Sequence, residues 1–166
     1  VGFTGKRNAA PILLDGLSRL EYRGYDSAGI AVLYGGKFSV SKTTGRVKTI
    51  SEKTDGGNAV LGRTGIGHTR WATHGAPSDT NAHPHLSSDG KIAIVHNGII
   101  ENYIPLRQEL EAKGVKFKSE TDTEIVSQLI AVYYKEQHDF PGAVRAAVSR
   151  LRGTYAFGIL CSDCPD

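Results

Sequence analysis

Hydrophobic positions in the first third of the chain predict one amphipathic helix followed by a β-hairpin. After Asn8, which can cap a helix, apolar residues recur at the spacing of one helix face: Ala10, Leu13, Leu17 and Leu20. The apolar run 28–33 predicts a strand, and Gly35-Gly36 can turn the chain into a second strand over 37–41. Residues 45–53 are predicted to form a short exposed helix.

The rest of the chain alternates predicted strands and helices. Thr121 and Glu124 have the spacing of a capping box at the start of one helix, and Ile104, Leu106 and Leu110 are the apolar positions of another. Strand pairs alternating with helix pairs predict an α+β domain of layered antiparallel sheets, with residues 1–166 as a single unit. The predicted strands cover 66–70, 91–96 and 154–161, and the helices cover 102–113, a stretch from 121 onward, and 141–151.

Composition describes a globular domain and argues against several classes of partner. The 166 residues are 39% hydrophobic, and a net charge of +3 is scattered along the chain rather than gathered in a basic patch. This charge is too weak a signal for nucleic acid, and no apolar run is long enough for a membrane span. Two cysteines are too few for a disulfide framework, which favours the reducing cytoplasm. The sequence contains no Met, which predicts that translation did not begin at Val1.

One long segment, 71–88, shows little periodicity and is rich in Gly, Pro, Asn and His. Five of the six histidines lie between positions 68 and 96. Irregular stretches of this length in a compact domain are usually functional, so we predict an ordered binding loop. Arg70 precedes the loop at a strand end, where its guanidinium can bind a substrate carboxylate or form only a surface salt bridge.

A zinc site is a weaker alternative for part of this segment. His83 and His85 could combine with the C-x-x-C pair formed by Cys161 and Cys164. Nothing in the spacing brings the two pairs together, and Cys161 ends an apolar strand, which favours a buried thiol.

Two further motifs each have a structural and a functional interpretation. Asn97-Gly98 is a strong signal for a tight hairpin turn, but the residues after it lead into a helix rather than a return strand. The alternative is an oxyanion hole formed by the Asn97 amide and the Gly98 backbone N–H. Asp122, at a predicted helix start, can complement the helix dipole or accept hydrogen bonds from a substrate ammonium group.

Five separated segments form a pattern, in order over nearly the whole chain: 19–29 (RLEYRGYDSAG), 69–75 (TRWATHG), 81–85 (NAHPH), 96–102 (HNGIIEN) and 119–124 (SETDTE). Together they resemble the class II glutamine amidotransferases. The Tyr-Arg-Gly-Tyr and Arg-Trp-Ala-Thr-His motifs are most similar to the glutaminase domains of the glucosamine-6-phosphate synthase family. The resemblance implies the four-layer αββα sandwich of antiparallel sheets of the N-terminal-nucleophile hydrolases, in agreement with the layers predicted above.

The resemblance also implies a set of site residues. The family's nucleophile is an N-terminal Cys, expected three residues before Val1 and absent from this sequence, so the chain as given is expected to be inactive. Asn97 and Gly98 would supply the oxyanion hole. The implied substrate-binding residues are Arg70 for the α-carboxylate, Asp122 for the α-ammonium, Thr73 and His74 near Arg70, Trp71 in the covering loop, and Arg23 and Gly24 in the pocket of the nucleophile.

The implied reaction is hydrolysis of L-glutamine to glutamate and ammonia through a Cys thioester, with no cofactor and no metal. In the longer family enzymes the ammonia passes to an isomerase domain of the same polypeptide, which converts fructose 6-phosphate into glucosamine 6-phosphate for amino-sugar synthesis. The full-length enzyme is expected to be a cytoplasmic homo-oligomer. Two alternatives stay open: a degenerate domain that binds glutamine without cleaving it, and another class II amidotransferase.

Overall fold

The first sheet is antiparallel and comes from the N-terminal half of the chain. The computed structural model describes residues 1–71 and 75–164. Within them the sheet contains β1 (Gly2–Thr4), β2 (Ser27–Tyr34), β3 (Lys37–Thr44) and β4 (Thr64–Arg70), in the order β1-β4-β2-β3. The predicted hairpin is confirmed, because β2 and β3 pair along their whole length across Gly35 and Gly36.

The second sheet consists, within the described ranges, of β5 (His85–Leu86), β6 (Ile92–Ile100) and β7 (Gly153–Cys161), with β6 in the middle. β6 and β7 pair without interruption from Ile92 opposite Cys161 to Ile100 opposite Gly153. The predicted strand over 91–96 therefore continues to Ile100 and includes the Asn-Gly motif.

The helices are close to those predicted. They are α1 (Ala9–Leu20), α2 (Val47–Lys53), α3 (Tyr103–Ala112), α4 (Asp122–Gln137) and α5 (Phe140–Val148), and a 3₁₀ turn (Glu21–Arg23) follows α1. Two positions assigned to apolar helix faces are wrong, because Leu20 is 37% and Ile104 53% exposed. The exposed character predicted for α2 is also wrong, since Val47 and Ile50 are buried against the first sheet.

Buried apolar side chains of the described residues form three clusters that separate four layers. One cluster packs α1 and α2 on the first sheet, and another packs α3, α4 and α5 on the second. The third lies between the two sheets and contains Ala31, Ile66, Ala93 and Val95. Alternate residues of β6 point to opposite faces, so Ile92 and Ile94 contact the helices while Ala93 and Val95 contact the other sheet. The predicted αββα sandwich is confirmed.

The short strands β1 and β5 were not predicted from the sequence. Each is too short to show a period of two, and each forms because a longer strand, β4 or β6, offers it a pairing edge. β5 follows His83, which lines the site described below. Across the residues that the structure describes, no helix combines the length and the apolar character needed to cross a lipid bilayer.

Candidate active site

A cavity of about 340 Å³ opens where β4 ends, β6 passes and α4 begins. Its lining brings together most of the residues predicted for the site: Arg23, Arg70, Trp71, Asn97, Gly98 and Asp122. A larger cavity of about 930 Å³ lies at the opposite end of the first sheet, beside Leu33 and Gly62, and contains none of them. The smaller cavity is therefore the candidate active site.

Arg70 is the last residue of β4 and is buried, at 4% exposure. Its Nη2 donates a hydrogen bond to the carbonyl oxygen of Gly75, 3.0 Å away, which links the guanidinium to the irregular segment that follows β4. Trp71 is 63% exposed, and its ring meets the edge of the exposed Tyr25 ring at a centroid distance of 5.6 Å. The surface salt bridge considered for Arg70 is excluded by its burial. Thr73 and His74 lie outside the described residues.

Asp122 is the first residue of α4 and is also buried, at 4% exposure. Its Oδ2 accepts a hydrogen bond from the backbone N–H of Ile100 at 2.8 Å, and it lies 4.0 Å from Nδ1 of His96. Thr121 caps the helix as predicted, with its Oγ1 accepting from the N–H of Glu124. The Asp122 carboxylate also accepts from the Thr123 hydroxyl at 3.4 Å, and the residue lines the cavity.

The Asn-Gly motif is part of a strand, so the interpretation as a hairpin turn is wrong. Asn97 pairs with Ala156 and Gly98 with Tyr155 on β7. Gly98 has φ of 128°, and a Cβ at this position would lie 1.9 Å from the carbonyl oxygen of Thr154. Glycine is required here because the backbone is in a region closed to other residues and β7 approaches it closely. Asn97 and Gly98 are both exposed to the cavity.

The 3₁₀ turn after α1 and the glycine that follows it contribute two further predicted residues. Arg23 is exposed at the cavity lining, and Gly24 is buried. A Cβ on Gly24 would lie 2.7 Å from the carbonyl oxygen of Thr69. The turn can therefore lie directly on β4 only because position 24 has no side chain.

Comparison with known proteins identifies the family. A family model described as a glutamine amidotransferase domain matches residues 68–164, more than half of the chain. The chain belongs to this family. It is 55% identical over 166 residues to the glutamine–fructose-6-phosphate aminotransferase (isomerizing) of Caldanaerobacter subterraneus, and 57% identical over 167 residues to that of Symbiobacterium thermophilum. Each match includes the whole of this chain but spans only 27% of the relative's length.

A solved structure agrees with this assignment. The glutamine phosphoribosylpyrophosphate amidotransferase from B. subtilis superposes with a TM-score of 0.83 and is 30% identical, covering 97% of this chain and 34% of that one. This glutamine amidotransferase domain therefore has the αββα fold of the N-terminal-nucleophile hydrolases.

Four described histidines of the amidotransferase domain, His68, His83, His85 and His96, form a buried group. His83 stacks on His68 with a centroid distance of 4.5 Å, and its Nδ1 accepts from the backbone N–H of His96 at 3.3 Å. His85 bonds through Nε2 to the Thr121 hydroxyl at 3.1 Å, while Cys161 packs in the core beneath α4. Among the described residues, no three His, Cys, Asp or Glu side chains are grouped to hold a metal ion.

Sequence reasoning missed two polar contacts that shape the site. His68 bonds through Nε2 to Oδ1 of Asn97 at 2.8 Å, and Nδ1 of His96 lies 2.9 Å from the Thr123 hydroxyl. The clustering of histidines between positions 68 and 96 was visible in the sequence and pointed to this region. Which histidine bonds to which partner depends on how β4, β6 and α4 are arranged, and local sequence does not encode that arrangement.

Acid is expected to destabilise the domain through these histidines. Burial lowers the pKa of His68 to about 4 and holds the pKa values of His83 and His85 well below the usual 6.5. Below pH 6.5 the unfolded chain therefore binds protons that the folded chain does not. As the pH is lowered below 6.5, the free energy of unfolding should decrease by up to about 1.4 kcal/mol per pH unit for each of these histidines. Above pH 6.5 their contribution to that free energy should not change with pH.

Urea denaturation at several pH values between 7.5 and 5 measures this slope. His85→Gln removes one of the three histidines. The slope of unfolding free energy against pH should become shallower by the contribution of that one histidine. An unfolding free energy that stays constant down to pH 5 would contradict the prediction.

Proposed function

We propose that this chain is the glutaminase part of a glutamine–fructose-6-phosphate aminotransferase. It would hydrolyse the side-chain amide of L-glutamine and release glutamate and ammonia. The observation that carries the proposal is that Arg70 and Asp122, buried and of opposite charge, line one cavity together with Asn97.

This pair of charges suits a free amino acid, which carries a carboxylate and an ammonium group on one carbon. Under the proposal, Arg70 binds the α-carboxylate and Asp122 the α-ammonium. Both contacts gain strength from burial, because water screens them little. The substrate side chain then extends toward Asn97 and Gly98. The proposal further includes Trp71 as a cover over the substrate, Arg23 and Gly24 beside the nucleophile, and Thr73 and His74 near the carboxylate.

The pairing of β1 suggests where the nucleophile would lie. The Val1 ammonium donates to the Gly67 carbonyl oxygen at 2.9 Å and the Gly67 N–H donates to the Val1 oxygen at 2.8 Å, which continues the register of Gly2 opposite Ile66. Each preceding residue would pair one position further along β4. The third residue before Val1 would therefore lie opposite Arg70, at the cavity. We call a full polypeptide with Cys-Gly-Ile ahead of Val1 the extended polypeptide.

The proposed reaction needs only this nucleophile and the residues around the cavity. The α-amine of the Cys takes the proton of its own thiol, and the thiolate attacks the amide carbon of glutamine. Asn97 Nδ2 and the Gly98 N–H would stabilise the negative oxygen of the tetrahedral intermediate. The carbon–nitrogen bond then breaks, and ammonia leaves with the proton returned by the amine. Water hydrolyses the γ-glutamyl thioester to glutamate and the free thiol.

The role of the whole protein is part of the same proposal. The curated relatives are named for amino transfer to fructose 6-phosphate, and this chain spans 27% of their length. We therefore propose that the ammonia reaches an isomerase domain of the same polypeptide, which makes glucosamine 6-phosphate. A cytoplasmic location and a homo-oligomeric full-length enzyme belong to this proposal. The free thiols of Cys161 and Cys164 are compatible with the reducing cytoplasm.

Calorimetry on the chain as given tests the binding part. L-Glutamine is expected to bind, and two amides that lack either its α-ammonium group (glutaramate) or its α-carboxylate (4-aminobutanamide) should bind at least about tenfold more weakly. Asp122→Asn should weaken glutamine and leave glutaramate unchanged. Glu101→Gln, which removes the same charge at an exposed position, is the control and should change neither affinity. Equal affinity for all three amides would refute the proposed pocket.

A further inference from the structure

His68 links the two sheets at the candidate active site. It lies on β4 of the first sheet, and its Nε2 is 2.8 Å from Oδ1 of Asn97 on β6 of the second sheet. The imidazole is buried, whereas Asn97 is exposed to the cavity. One end of the Asn97 amide is therefore held by His68, and the other end is available to the substrate.

The protonation of this imidazole decides what Asn97 presents to the cavity. If a neutral His68 carries its proton on Nε2, that N–H donates to Oδ1, and the two hydrogens on Nδ2 of Asn97 face the cavity. If the proton is on Nδ1, Nε2 can only accept. The amide would then have to turn its NH₂ toward His68 and direct its carbonyl oxygen to the substrate. An oxyanion requires the first arrangement.

The surroundings of His68 favour the neutral ring with its proton on Nε2. The charged or titratable groups that act on it are the Val1 ammonium, Arg70, His83, His85 and His96, and none of these is an acid that would favour an imidazolium. Its Nδ1 is buried and has no hydrogen-bond partner among the described residues. A buried acceptor without a partner is tolerated better than a buried N–H without one, so Nδ1 is the nitrogen without the proton.

We propose that His68 is a positioning residue whose Nε2–H fixes the Asn97 amide so that its NH₂ group, not its carbonyl, faces the reacting carbonyl of glutamine. The inference rests on the proposed function. His68 itself does not touch the substrate carbonyl in this scheme and acts only through Asn97.

Glutaminase kinetics of the extended polypeptide test the proposal. Removing an oxyanion donor lowers turnover by about 100- to 1000-fold, and the loss of turnover on replacing His68 should not exceed this. We expect His68→Leu to lower kcat by at least about tenfold with little change in KM, since the groups that bind the two charges of glutamine stay in place. His68→Gln keeps an N–H donor at similar reach and should restore most of the rate. His85 is buried and bonds to Thr121, whereas the hydrogen bond to Asn97 comes from His68, so His85→Gln is the control and should keep kcat.

A double-mutant cycle separates positioning from a general structural role. Because His68 acts through Asn97, adding His68→Leu to Asn97→Ala should cause no further loss of kcat. Additive losses, or a His68→Gln variant as slow as His68→Leu, would overturn the inference.

The imidazole ¹⁵N shifts of His68, measured at neutral pH in the unsubstituted polypeptide, test the tautomer without relying on turnover or on a variant that folds. A proton on Nε2 is expected, and a proton on Nδ1 would overturn the inference. An unsubstituted polypeptide that shows no glutaminase activity would refute the proposed function, while the ¹⁵N result would still decide the state of His68.

Discussion

The extended polypeptide, with a free α-amine on its Cys, is expected to release ammonia from L-glutamine, whereas the same polypeptide with Ala in place of that Cys should show no detectable turnover. The thiolate forms the bond to the amide carbon, and loss of a catalytic nucleophile in a hydrolase lowers turnover by at least about 10⁴-fold. Neither Cys161, buried in the core beneath α4, nor Cys164 can substitute, because the reaction needs a thiol and an α-amine on one residue. An enzyme-coupled ammonia assay gives the rate.

Two controls sharpen this experiment. A retained initiator Met ahead of the Cys leaves the thiol in place but moves the α-amine away, so it should also abolish turnover. The Ala variant should still bind glutamine, since Arg70 and Asp122 are unchanged. If the polypeptide with the free Cys binds glutamine but releases no ammonia, the chain is a glutamine-binding module and the proposed hydrolysis is wrong.

Gly98→Ala is expected to destabilise the domain by about 3 kcal/mol or more, because alanine is strained at this φ and its Cβ makes a severe steric clash. The added Cβ would lie 1.9 Å from the carbonyl oxygen of Thr154, so β6 and β7 would have to separate where they support the site. Chemical denaturation of the chain as given measures the loss. In the extended polypeptide we expect the remaining folded protein to lose glutaminase activity as well, because the Gly98 N–H would shift.

Gly90→Ala is the matched control for that substitution. Gly90 also has a positive φ, of 73°, but nothing lies within 4 Å of the position that its Cβ would occupy. Its cost should therefore be limited to backbone strain of about 1–2 kcal/mol. If the two variants lost equal stability, the close approach of β7 to Gly98 would not exist, and the motif would have to be reconsidered as an open turn.

Several parts of the fold could be predicted because they depend on neighbours in sequence. The β2–β3 hairpin follows from two apolar strands around Gly35-Gly36, and the start of α4 follows from the spacing of Thr121 and Glu124. The capping box is only half formed, however. The Glu124 carboxylate accepts from the N–H groups of Lys118 and Ser119 instead of reaching back to the cap residue.

Errors arose where a residue's environment depends on a distant part of the chain. Leu20 and Ile104 fit the period of an apolar helix face, yet each lies at a helix end where no other layer covers it. Asn97-Gly98 has the local signature of a turn, but β7, more than fifty residues later, offers this segment a continuous pairing partner and makes it a strand.

The sequence by itself determined the kinds of elements, the αββα layering expected of the family, and the residue types that a glutamine site requires. Only the tertiary structure decided that Arg70 and Asp122 share one cavity, that Asn97 lies on a strand, and that His68 holds the Asn97 amide. The physical reason is that periodicity and capping act over a few residues. The site, in contrast, is assembled from β4, β6 and α4, whose relative positions come from strand pairing and from packing between layers.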